Sequence, residues 1–154
     1  MIKLLKSDTF AHIVEHTPLI AIDLIIKDCK GRVLLGRRVN APAKDYWFVP
    51  GGRIYKNETM SEAFSRIFFT ETGYKLLIDD ARFLGVYEHF YENSFYDENI
   101  STHYVVLGYE IKYDFSMNIL PETQHNTYKI MPVKTLLQDE EVHANVKLYF
   151  KGSK

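Results

Sequence analysis

The stretch Gly51-Gly52-Arg53-Ile54-Tyr55-Lys56-Asn57-Glu58-Thr59-Met60-Ser61-Glu62-Ala63-Phe64-Ser65-Arg66-Ile67-Phe68-Phe69-Thr70-Glu71-Thr72-Gly73-Tyr74 decides the fold. It opens on a glycine pair directly after Pro50, which ends a short aromatic strand over 46–49. From about Thr59 to Glu71, the apolar residues Met60, Ala63, Phe64, Ile67 and Phe68 recur at the spacing of a helix with one buried face. Gly73 stands where a helix stop favours a left-handed residue. On such a helix, positions 67, 70 and 71 fall within about 100° of one another. Carboxylates at all three would converge on one spot and suit a hard, oxygen-preferring cation. Of the three, Glu71 is acidic, and Ile67 and Thr70 are not. Glu58 and Arg66 read as a brace between loop and helix. The plainer alternative is a solvated helix with Glu62 and Arg66 paired at i,i+4.

Outward from this segment, residues 7–16 read as a short helix capped by Ser7 or Asp8 and ended by Pro18. Residues 19–26 form an apolar strand interrupted by one acid, Asp23. A turn over 28–31 leads to a second strand over 32–37, then to a loop over 40–44 that contains Pro42. Residues 83–91 and 103–112 read as paired strands joined by the acidic segment 92–101. A short strand is expected over 128–131, and helices over 132–137 and 141–150. Strands and helices interleave, so the expected class is α/β, a mixed β-sheet between helices. The 154 residues suit one domain, 1–154.

Composition limits the function. Lys plus Arg total 19 against 20 for Asp plus Glu, so bulk attraction to nucleic acid or an acidic membrane is not suggested. Any anionic ligand must be held by a few placed cations. The single cysteine, Cys29, excludes an intrachain disulfide and reads as a bystander in a turn. No apolar run has transmembrane length, and the start is too short and charged for a signal peptide, so a cytoplasmic location is the default expectation.

Gly52, five spacers, Glu58, seven spacers, Arg66, then Phe68, Glu71, Gly73 and Tyr74 together resemble the Nudix box. Ile67 and Thr70 replace two of its carboxylates. The same two losses characterise one branch, the GDP-mannose mannosyl hydrolases. Further stretches look like that branch: Thr17-Pro18-Leu19 with Asp23, Leu34 to Arg38, Tyr46 to Arg53, His89-Phe90-Tyr91, Thr102 to Gly108, Gln124-His125, and Val142-His143-Ala144-Asn145. The resemblance spans roughly residues 4 to 150 and implies a Nudix fold, with the mixed sheet sandwiched between α-helices. It also implies magnesium-dependent hydrolysis of GDP-mannose, and of GDP-glucose as a second candidate, to GDP and the free sugar. Water attacks the anomeric carbon with inversion. Such a displacement needs a base on one face and a departing group on the other. A metal ion and arginines that absorb the charge on GDP would replace a general acid.

The resemblance implies His125 as general base, and an imidazole suits proton transfer near neutral pH. It implies one Mg2+ per subunit held by the Gly51 carbonyl, Glu71 and Gln124. Arg38 and Arg53 are expected to clamp the diphosphate, since a guanidinium holds phosphate oxygens in a bidentate way. Asp23 and His89 match positions near the substrate; an unpaired carboxylate inside an apolar strand would be costly, so Asp23 calls for a partner, an arginine or His89, and a structural ion pair is the alternative to a catalytic role. Tyr104 is expected to meet a phosphate or to pack, while its neighbour His103 and the neighbour of Arg38, Arg37, should face away. Leu4, Leu5 and Phe10 look like the segment that contacts the guanine nucleotide; core or dimer packing is the alternative. His12, His16 and His143 read as structural or exposed. A homodimer is implied, with a GDP-sugar as ligand. Two other readings stay open. One is a Nudix pyrophosphohydrolase cutting at phosphorus, and the other is an inactive Nudix-fold nucleotide-binding module.

Overall fold

The computed structural model describes residues 4–114 and 125–152. At its centre lies β1 (Leu19–Lys27), apolar at nearly every position because both its faces are covered. Side chains alternate along a strand. Ile22, Leu24 and Ile26 therefore enter one core with Ala63, Phe64, Ile67 and Phe68 of α2 (Met60–Thr72). Ile25 enters a second core with Leu136, Val146 and Phe150. The alternation assigns Asp23 to the same face as Ile25.

The other strands are β2 (Val33–Arg38), β3 (Trp47–Phe48), β4 (Gly51–Arg53), β5 (Arg82–Tyr91), β6 (Thr102–Lys112) and β7 (His125–Met131). The other helices are α1 (Ser7–His16), α3 (Val133–Gln138) and α4 (Ala144–Lys147). The sheet runs β3-β2-β1-β6-β5, with β4 also paired to β1 and β7 to β2. β1 and β6 are parallel and the remaining pairs antiparallel. The sheet is therefore mixed and lies between helices, as expected. β1 and β2 meet only at Lys27 and Val33. Beyond that point they part, β4 takes over the edge of β1, and the opening between them becomes a cleft. Among the described residues, no helix is long and apolar enough to cross a membrane.

Helix α2 carries the signals read from the sequence. Thr59 is its N-cap, and its side chain accepts from the Glu62 N–H while the Glu62 carboxylate accepts from the Thr59 N–H. This reciprocal arrangement satisfies two donors that the first turn leaves orphaned. Gly73 ends the helix at φ 79°, a left-handed conformation that penalises a Cβ. Thr59→Ala is expected to cost about 1 kcal/mol in urea unfolding. A loss of only a few tenths would mean that the cap contributes little.

Several boundaries differ from expectation. The N-cap of α1 is Lys6, without a side-chain cap bond, not Ser7 or Asp8. β7 begins at His125, three residues earlier than read, because its pairing with β2 extends past a bulge to Arg38. The expected helix over 141–150 is broken. Trp47 N–H donates to the Glu141 carbonyl and His143 N–H to the Trp47 carbonyl, which holds that stretch extended. Only α4 and a 3-10 turn at Leu148–Phe150 follow.

Candidate active site

A cleft of about 270 Å3 opens where β1 and β2 part. Its walls include Phe10, Asp23, Arg38, Gly51, Arg53, Glu71, His89 and Tyr104, contributed by elements from α1 to β6. Ile67 and Thr70 line it as well, so all three helix positions at which the box resemblance expects carboxylates face the same space. Glu71 supplies the one carboxylate among them and is buried. Ile67 is in the core, where a Cβ on Gly52 would come within 3.1 Å of its Cγ1.

The glycine pair is needed for close approach. A Cβ on Gly51 would overlap Asp23 Oδ1 and lie 2.7 Å from the Ile22 carbonyl oxygen. Leu24 N–H donates to the Pro50 carbonyl and Ile54 N–H to the Ile20 carbonyl. With Asp23 opposite Gly51, this alternation leaves Gly51 at a non-hydrogen-bonded position, its carbonyl turned away from β1. The Gly51 carbonyl and the Glu71 carboxylate are oxygen donors of the kind a hard divalent cation takes. Asp23 adds a second buried acid to the same cleft, and the negative charge of Glu71 contributes to raising its pKa. These donors fit a magnesium ion. Gln124 lies outside the described residues.

The basic side chains are braced from behind. Arg66 Nε donates to Glu58 Oε1 at 2.5 Å, and its Nη2 donates to Glu58 Oε2 and to the Arg53 carbonyl, both at 2.8 Å. The brace ties α2 to the end of β4 at Arg53, and the alternative pairing of Glu62 with Arg66 is replaced by the capping box. Arg53 lies over the rings of Phe10 at 4.2 Å and Tyr55 at 4.9 Å. Arg38 Nε donates to the Pro42 carbonyl at 2.9 Å. Among the described residues, no carboxylate pairs with Arg38 or Arg53. Arg37 turns away to Glu141 and Trp47, and His103 stacks on Phe90 at 4.4 Å. The backbone of His125 is opposite Arg38 at the cleft end of β2. Leu4 and Leu5 do not join the cleft wall; both are exposed ahead of α1, and only Phe10 of that segment reaches the site.

The partner of Asp23 is Tyr149, in place of the expected arginine or His89. Tyr149 Oη donates to Asp23 Oδ2 at 2.5 Å and lies 3.3 Å from His89 Nε2. Sequence reasoning misses Tyr149, because it lies outside every stretch quoted for the resemblance and is otherwise one of eleven tyrosines. His143 is half-buried, and its Nδ1 accepts from the Asn145 N–H.

Burial pushes the Asp23 carboxyl up to about 7, against the hydrogen bond from Tyr149 and the charge of Arg38. Burial also pushes the His89 imidazole down to about 4. The two act on stability in opposite senses. The unfolded chain protonates His89 below its ordinary value of 6.5, so that contribution is lost as pH falls through this range. The folded chain protonates Asp23 first, so that contribution is gained as pH falls from about 7. Between about pH 4 and 6.5 they offset. In metal-free buffer, Asp23→Asn should expose the His89 contribution as a loss approaching about 1.4 kcal/mol per pH unit on acidification from pH 6.5 to 5. Parallel wild-type and variant curves in urea unfolding would contradict this.

The family model of the NUDIX domain matches residues 17–151. The chain belongs to the Nudix family. This Nudix protein is 39% identical over 126 residues to the low-salt glycan biosynthesis protein Agl8 of Haloferax volcanii, covering 82% of this chain and 78% of that protein. Its fold is similar to the MutT NUDIX hydrolase of Burkholderia pseudomallei, with TM-score 0.70 and 21% identity over 90% of this chain and 100% of that one. It is also similar to the NUDIX domain of Shewanella oneidensis NrtR complexed with ADP ribose, with TM-score 0.64 and 16% identity over 96% and 97% of the two chains. Within this Nudix frame, the box region is β4, the loop after it and α2.

Proposed function

We propose that this Nudix hydrolase cleaves a GDP-sugar, GDP-mannose before GDP-glucose, by attack of water at the anomeric carbon with inversion. One observation carries the reading. Three helix positions face the cleft, and only Glu71 among them bears a carboxylate. Phosphorus chemistry that uses several metal ions would lack two ligands. The 39% identity to a protein named for glycan biosynthesis agrees with a nucleotide-sugar substrate. One magnesium ion would be held by Glu71, the Gly51 carbonyl and, by the resemblance, Gln124. When bound, it supplies positive charge to offset that gathering on the departing diphosphate.

This chain's own residues do the rest. Arg38 and Arg53 bind the two phosphates and orient the sugar's C1 toward water. Phe10 and Tyr55, stacked about Arg53, narrow the mouth on the nucleotide side. His125 takes a proton from the attacking water as the new C1–O bond forms. The bond from C1 to the phosphate oxygen breaks with its electron pair leaving on GDP. The exposed apolar side chains of the edge strand β5, Phe83, Val86 and Phe90, support a homodimer. Turnover in H2 18O tests the chemistry: label is expected in the sugar and none in GDP. Label in a phosphate product would mean attack at phosphorus.

A further inference from the structure

Asp23 is held from two sides by features outside the box. Its Oδ1 abuts Gly51, where any Cβ would overlap it, and its Oδ2 accepts the proton of Tyr149 at 2.5 Å. Tyr149 reaches this point through a slot. Gly108 lies directly across from Asp23 in the β1–β6 register, and a Cβ there would come within 3.2 Å of Tyr149 Cε1 and 3.0 Å of Tyr87 Cε2. The Tyr149 ring packs edge-on against Tyr87 at 4.5 Å. A tyrosine has one hydroxyl proton. With that proton given to Asp23, the contact of 3.3 Å with His89 Nε2 is a hydrogen bond only if the imidazole carries its proton on Nε2. Hydrogen bonds then run from His89 through Tyr149 to Asp23, and all three residues are buried.

We propose that Tyr149 is a positioning residue for the reaction. It fixes the Asp23 carboxylate in one rotation, with Oδ2 occupied and Oδ1 held beside Gly51 at the cleft, and it acts only through Asp23. The proposal rests on the cleft being the hydrolytic site, and not on which bond is cut. A buried carboxylate without its donor would turn toward Arg38 or draw in water, and the site would lose its preset geometry.

A double-mutant cycle of Tyr149→Phe and Asp23→Ala in the full chain tests this, with GDP-mannose, magnesium and a thermal melt of each variant. Tyr149→Phe keeps the ring in its slot. It is expected to lower kcat about tenfold with KM within about twofold. In the Asp23→Ala background, the same change is expected to alter kcat by less than about twofold. If Tyr149→Phe alone fails to fold, the double variant, which also removes the orphaned carboxylate, still supplies the decisive comparison with Asp23→Ala. A further loss of several-fold in that background, or an unchanged kcat in Tyr149→Phe, would overturn the proposal. Product identity, read in the same assays, reports separately on the reaction assigned above. GMP in place of GDP would overturn the site of attack, while the coupling of Tyr149 to Asp23 would still be read from the cycle.

Discussion

Replacing Glu71 by Gln is expected to lower kcat by about a thousandfold or more, because the change removes the one carboxylate that α2 aims into the cleft. The neutral amide keeps the shape and takes away the charge that favours a divalent cation. Metal-assisted charge stabilisation is worth several kcal/mol in a transition state, and about 1.4 kcal/mol is tenfold in rate. Calorimetry with magnesium should show the cation site lost. Binding of GDP should remain measurable, since Arg38 and Arg53 stand on other elements and keep their supports. A variant that retains more than a tenth of wild-type kcat would remove Glu71 from the metal site. A wild-type protein that binds GDP but turns over no nucleotide sugar would be an inert binding module instead.

His125→Gln is expected to lower kcat by a factor of about 10^2–10^4, the usual contribution of a positioned general base. KM should stay within about twofold, because the residue is assigned a proton and not a binding contact. A base works only as neutral imidazole. Wild-type kcat/KM should therefore fall on acidification, and this limb should be absent from the variant's residual activity. Equal pH profiles in the two proteins, or a variant that loses substrate affinity and not kcat, would assign His125 to binding.

The parts legible in the sequence are those whose signals are local. The period of α2, its stop at Gly73 and the apolar run of β1 each lie within a short stretch, and the helix spacing alone brings positions 67, 70 and 71 to one wall of the cleft. The Glu58–Arg66 brace follows from the box resemblance, since spacing alone also offers Glu62 as the partner of Arg66. What escapes the sequence depends on contacts between distant segments. Asp23 needs a partner on sequence grounds alone, but Tyr149 is 126 residues away and reaches it only because β6 presents Gly108 alongside. The break in the expected helix over 141–150 is made by Trp47, which bonds to both Glu141 and His143 and outweighs local helix preference. The exposure of Leu4 and Leu5 beside a cleft-lining Phe10 likewise depends on how α1 lies against the sheet.

On the proposed reading, the missing carboxylates at positions 67 and 70 move the attack from phosphorus to carbon. Proton and phosphorus NMR of GDP-mannose with the protein and magnesium, followed from the first minutes, tests it most directly. GDP is expected as the phosphorus-containing product, with an anomeric proton that is at first that of β-mannose and only later that of the equilibrium mixture. GMP together with mannose 1-phosphate would contradict it.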